Sequence, residues 1–141
     1  MYIRVIDEKH EYYGLYFDIV TNELLSNYHQ NLICNIDKEY ISFKDEQCRI
    51  VSNIKEIKKA EKSFYRFKKT FLTAKELKAE FYIYKGRYGE RIPAFKYGYF
   101  SFCFYPDTER WKVFHINNES IKYTFNNKQE LLEWIHPAQI F

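Results

Sequence analysis

The chain has 141 residues, a mass of 17.4 kDa and a formal net charge of +3. A chain of that length can bury roughly two thirds of its unfolded surface in one domain, so a disulfide or metal staple is not required and a single domain over 1–141 is expected. No apolar run approaches the roughly 20 residues that span a bilayer, and MYIRVIDEKH has no signal-peptide core, so the expected setting is cytoplasmic, with no membrane partner.

The first fifty residues read as strands: YIRVI (2–6), YYGLYFDIV (12–20), ELLSNY (23–28), NLICNI (31–36), YISF (40–43) and QCRIV (47–51). They are rich in β-branched and aromatic residues, and Thr21-Asn22, Asp37-Lys38 and Lys44-Asp45-Glu46 supply turn chemistry between them. The stretch 21–30 also suits a short helix. After Ser52 the period changes, because Ile54, Ile57, Ala60, Phe64, Phe67 and Phe71 recur at steps of three or four and gather on one helical stripe. Asn53 with Glu56 has the spacing of a capping box, so a basic amphipathic helix over about 53–71 is expected.

Thr73 with Glu76 repeats that spacing and predicts a short helix over about 74–80, with 81–85 open to either helix or strand. Tyr97–Tyr105 and Trp111–Ile116 flank the turn residues PDTE and form a predicted hairpin. SIKYTF (120–125) alternates as a strand, and Asn127 with Glu130 starts a C-terminal helix over about 127–135, which His136-Pro137 is expected to stop. Strands and helices are grouped along the chain rather than alternating, which predicts an α+β class with a largely antiparallel, curled sheet.

Cys34, Cys48 and Cys103 are odd in number, lack C-x-x-C spacing and sit among apolar neighbours, so inert buried thiols are expected rather than a disulfide or zinc framework. No metal and no cofactor is expected. Phe, Tyr, Met, Ile, Asn and Lys supply 68 residues against 18 for Gly, Ala, Arg and Pro. Such a ratio marks an AT-rich genome, as in many low-GC bacteria and their phages and plasmids, and suggests a phage- or plasmid-encoded protein. The abundance of Tyr and Lys therefore says little; their placement carries the information.

Placement points first to the helix. Residues 55–78 hold nine basic and three acidic side chains, a net of +6 in a chain of +3. Lys55, Lys58, Lys59, Lys62, Arg66 and Lys69 share one helical face away from the apolar stripe. Such a face attracts an acidic protein surface or the phosphates of nucleic acid, as in a nucleic-acid-binding domain proper. The loop KGRYGERIP and the start of the following strand supply a second basic surface in Arg87, Tyr88, Arg91 and Lys96. The loop's G-x-x-G has the spacing of a KH clamp, but Pro93 bars the helix that the clamp needs, and no phosphate-loop glycine pattern is present. Along 97–105, Tyr97, Tyr99, Ser101, Cys103 and Tyr105 share one strand face, and the Phe residues share the other. The Phe face is the expected core and the Tyr face an expected contact surface.

Catalytic constellations are sparse. His115 at a strand end, a further strand, Asn127 at a helix start and His136 at its end resemble the β-β-α core of HNH nucleases over residues 111–136. That resemblance implies His115 activating water and Asn127 and His136 helping to hold a metal. Phe114 stands where an acidic residue or a second histidine is usual, and the flanking cysteine pairs of some members are missing. Cys48 with His115 or His29 has no local activating group, and Asp7-Glu8 beside His10-Glu11 reads as a charged turn rather than a metal site. The expected function is a non-catalytic binding or regulatory protein, with the nuclease as its alternative.

Overall fold

The computed structural model describes residues 1–20 and 31–140. The expected strand 23–28 and His29 lie outside the described residues. The structure is 28% helix and 44% strand, with every strand pair antiparallel, which makes the fold α+β with open sheets. Its contacts divide into two compact units, residues 1–68 and 69–141.

In the first unit β1 (Tyr2–Val5) is flanked by β2 (Tyr16–Asp18) and β5 (Cys48–Ile50), while β3 (Asn31–Ile36) and β4 (Glu39–Lys44) form a separate hairpin. An isolated bridge, Ile19 to Cys34, links β2 to the hairpin. The expected strand 12–20 is shorter because residues 11–14 form a turn. There the Tyr12 amide donates to His10 Nδ1 (2.9 Å), and Gly14 takes φ +82°, a left-handed conformation that glycine adopts without strain. Helix α1 (Ile54–Glu76) packs its stripe of Ala60, Phe64 and Phe67 inward. Phe17 is the hub of this core: its ring centroid lies 4.7 Å from Phe43, 4.9 Å from Phe67 and 6.1 Å from Phe64. Ile54, expected on the buried stripe, is 74% exposed because it stands in the first turn.

In the second unit β6 (Glu80–Lys85), β7 (Arg91–Tyr97), β8 (Phe100–Tyr105), β9 (Arg110–His115) and β10 (Asn118–Phe125) form one antiparallel meander in chain order. Phe95, Phe102, Phe104, Trp111 and Val113 lie on one face and pack with Ala74 of α1 and with Leu131 and Ile135 of α2 (Lys128–Ile140). Phe95 and Phe102 stack at 4.8 Å with their planes 9° apart. Asn127 Oδ1 accepts from the Glu130 amide at 2.9 Å, and Glu130 Oε2 accepts from the Asn126 amide at 2.8 Å, so the predicted start signal closes one residue early.

Two helix boundaries are corrected. The separate helix over 74–80 does not exist: α1 runs unbroken to Glu76, and the Thr73 hydroxyl donates to the Lys69 carbonyl (2.8 Å) within the helix instead of capping a new one. α1 ends where Lys78 takes φ +54° and the Ala79 amide reaches the Ala74 carbonyl (2.8 Å), a Schellman-type stop, and β6 follows at once. α2 continues to Ile140 through the expected stop at His136-Pro137; a proline removes one helical hydrogen bond, and here that loss does not end the helix.

Phe17→Ala should destabilise the first unit by about 3–5 kcal/mol, read from its urea transition. Lys78→Gly should stabilise the protein by about 1 kcal/mol in the same measurement, because glycine relieves the left-handed backbone strain.

Candidate functional site

On the first turns of α1, Lys55, Lys58, Lys59 and Lys62 are exposed, as the helical spacing predicts. The stripe narrows further along. Arg66 is half-buried with Nε and Nη2 withdrawn from solvent, and Lys69 is half-buried too, so these two do not extend the open face.

Glu56, which stands among the lysines, is committed elsewhere. Its carboxylate takes both arms of the Arg49 guanidinium at 2.8 and 2.5 Å, and Oε2 also accepts from the Tyr16 hydroxyl at 3.0 Å. Arg4 lies over the Tyr16 ring, 5.2 Å from its centroid. Those hydrogen bonds, the Arg49 pair foremost, hold the Glu56 pKa down to about 2. The expected capping box is therefore only half made: Asn53 Oδ1 accepts from the Lys55 amide at 2.9 Å, while Glu56 turns to Arg49 and Tyr16 rather than back to Asn53. With its charge matched by Arg49, Glu56 subtracts little from the lysine face, and among the described acidic residues Glu61 is the exposed one on that stretch of helix.

The loop 86–90 is a closed hairpin turn between β6 and β7. The Gly86 amide donates to the Glu90 carbonyl (2.7 Å), Gly89 takes φ +82°, and Glu90 Oε2 accepts from the Tyr88 amide (3.0 Å). A backbone donor that an anion would need is thus taken by the chain's own carboxylate. Arg87 and Tyr88 are exposed at the tip, and Arg91 is half-buried in β7 opposite Lys85.

The expected face over 97–105 is broken. Gly98 (φ +62°) and Tyr99 form a two-residue turn closed by Tyr97 opposite Phe100, the backbone pattern of a type II′ hairpin. Directly paired residues share a face, so Tyr97 goes to the core side with Phe100, and Tyr99 sits at the tip, 71% exposed. Ser101, Cys103 and Tyr105 keep the expected face.

That face is larger than the sequence suggested. Register places Tyr82 and Tyr84 of β6, Ile92 and Lys96 of β7, Ser101, Cys103 and Tyr105 of β8, Arg110, Lys112 and Phe114 of β9, and Lys122 and Thr124 of β10 on the side away from the Phe core. A groove of about 380 Å³ opens there among Tyr84, Ile92, Tyr105, Lys112, Phe114 and Lys122, and neither helix contributes to its lining. Tyr84 and Phe114 meet edge to face at 6.3 Å. Lys112 Nζ lies 4.7 Å above the Tyr105 ring and Lys96 Nζ 4.8 Å above the Tyr82 ring, whose hydroxyl is hydrogen-bonded to Ser101 Oγ. Among the described residues this face carries Lys96, Arg110, Lys112 and Lys122 against one carboxylate, Glu80, which stands opposite Lys96. Sequence reading missed Tyr82, Tyr84, Lys112, Phe114 and Lys122. The signal available was two-residue alternation in FYIYK, WKVFHI and SIKYTF.

The residues of the nuclease alternative have separate local roles. His115 Nδ1 accepts from the Asn117 amide (3.1 Å) while its ring stacks on Tyr99 and meets Phe100 edge on. Asn127 caps α2, and His136 is exposed on that helix. Among the described residues no group of three or more His, Cys, Asp or Glu side chains is placed to hold a metal. Burial pushes the Cys34 thiol up to about 12 and the Cys48 thiol up to about 11, which leaves both as poor nucleophiles. No helix among the described residues is long and apolar enough to cross a membrane. Compared with protein-family models, curated proteins and solved structures, the chain matched none.

Glu56 makes the first unit acid-sensitive with a definite sign. Its folded pKa lies below the ordinary carboxylate value of about 4.3, so the stabilisation is full above that value and is lost as the pH falls toward 2. Thermal melts between pH 5 and 2 should show a steeper drop for the natural protein than for Glu56→Gln, which lacks the titrating group.

Proposed function

We propose that the protein is a non-catalytic binding protein that engages a polyanion, nucleic acid, through the open face of α1. The observation that carries this reading is the run of four exposed lysines, Lys55, Lys58, Lys59 and Lys62, beside a glutamate whose charge Arg49 already matches. Each lysine that neutralises a phosphate releases condensed counterions, so binding of this kind weakens steeply with salt. Lys69 and Arg66, half-buried, have a lesser part, and Arg87 and Tyr88 offer exposed groups at a hairpin tip. No chemistry is assigned, since His115, Asn127 and His136 serve a strand-end turn, a helix cap and an exposed helix position.

An acidic protein partner is the second reading. It is favoured by Ile50 and Ile54, 60% and 74% exposed, which immediately precede the lysines in sequence. Apolar anchors of this kind suit a protein interface and add nothing to phosphate binding.

In a gel-retardation assay the protein should shift duplex DNA at low salt. Lys58/Lys59/Lys62→Glu should abolish the shift, while Lys58/Lys59/Lys62→Gln, which only neutralises the three lysines, should flatten the dependence of log affinity on log salt by about 2–3. A shift that the triple variant leaves unchanged rejects the helix as the binding face. Capture of a stoichiometric protein partner that persists at high salt and is lost in Ile54→Asp would favour the second reading.

A further inference from the structure

We infer that the face of the five-stranded sheet opposite its Phe core is a second site, which takes an unpaired nucleotide of single-stranded nucleic acid in the groove lined by residues of β6 to β10. The site is built from none of the α1 lysines and goes beyond the reading above.

Size, ring chemistry and charge all select the same ligand. At about 380 Å³ the groove falls at the small end of the range for ligand sites, the scale of one nucleotide rather than of a duplex. Its apolar wall is aromatic: Tyr84 and Phe114 stand edge to face, and Tyr105 lies across from them on β8. These rings offer π surface to a planar base, and stacking of this kind tolerates any base. Its polar wall is cationic, with Lys112 and Lys122 in the lining and Lys96 and Arg110 on the same face. Among the described residues Glu80 is the one acid there, and it stands opposite Lys96 at the β6 edge. An apolar peptide would leave those cations without partners. A duplex would keep its bases stacked inward, out of reach of the rings. A single strand presents both groups together, a free base for the aromatic wall and a phosphate for the lysines.

The test measures the fluorescence anisotropy of a labelled 12-nucleotide oligothymidylate and of a labelled 12-base-pair duplex. It is run on the intact chain, on Tyr84→Ala, on Lys112/Lys122→Glu and on Lys58/Lys59/Lys62→Glu, with circular dichroism of each variant establishing that it is folded. The expected result is tighter binding of the single strand than of the duplex by the natural chain. Tyr84→Ala should weaken single-strand binding about tenfold and Lys112/Lys122→Glu by at least that factor, both leaving duplex binding unchanged, while the helix variant keeps the single-strand preference. Where Tyr84→Ala proves unfolded, the exposed Lys112/Lys122→Glu pair decides alone. Equal affinity for single strand and duplex, with losses confined to the helix variant, overturns the groove and leaves the helix reading standing. Single-strand binding that ignores both groove variants overturns it as well. Saturation by free thymidine monophosphate at the affinity of the 12-mer overturns it too, by assigning the groove to free nucleotides. Binding of neither oligonucleotide at low salt overturns the groove together with nucleic-acid binding by α1.

Discussion

A β-strand sends successive side chains to opposite faces, and in residues 80–125 that one constraint sorts five consecutive strands into two chemically different surfaces. Phe95, Phe102, Phe104, Trp111 and Val113 fall on one side and are covered by Ala74, Leu131 and Ile135 from the two helices. Tyrosines, lysines and Phe114 fall on the other, where no helical residue lines the groove. A single-residue slip in register would exchange the two sets and expose the Phe core, so the groove and the core are specified together. The described residues of the first unit are organised differently. There the chain spends its aromatics on a cluster around Phe17, and its polar chemistry goes to the helix surface and to the linkage of Arg49, Glu56 and Tyr16.

Much of this was legible in the sequence wherever one period dominated over a long enough window. The stripe of Ala60, Phe64 and Phe67 announced α1, the alternating Phe residues of FSFCF announced the core face of β8, and Asp37-Lys38 announced the β3–β4 turn. Two kinds of feature were not legible. Where both periods fit, as in EFYIYK, local pattern had no power to choose, and the decision came from pairing with β7. Where one residue takes a left-handed backbone, the reading failed outright: Gly98 splits YGYFSFCFY into two strands and moves Tyr97 to the core side, and Lys78 ends a helix with no glycine to advertise the stop.

The candidate sites divide along the same line. The lysine face of α1 is a property of one helix, so its spacing is visible in a single stretch of sequence, except that Arg66 and Lys69 lose exposure through packing that a helical wheel omits. Glu56 could be assigned only as a cap, because its partners Arg49 and Tyr16 come from strands whose approach no local rule encodes. The groove is still less local, since Tyr84 and Lys122 lie 38 positions apart and meet only after five strands have been laid in order.

Two lysines of that sheet face are not free-swinging cations. With Lys112 resting over Tyr105 and Lys96 over Tyr82, each ammonium is biased toward the sheet by the negative face of a ring, in an attraction of about 0.5–1 kcal/mol at an exposed site. A long flexible lysine ordinarily gives up about 1.5–2 kcal/mol of rotamer freedom when it is fixed against a ligand. Part of that ordering is already complete in the folded chain. The sheet therefore presents part of its charge in a preset geometry, as a rigid receptor does.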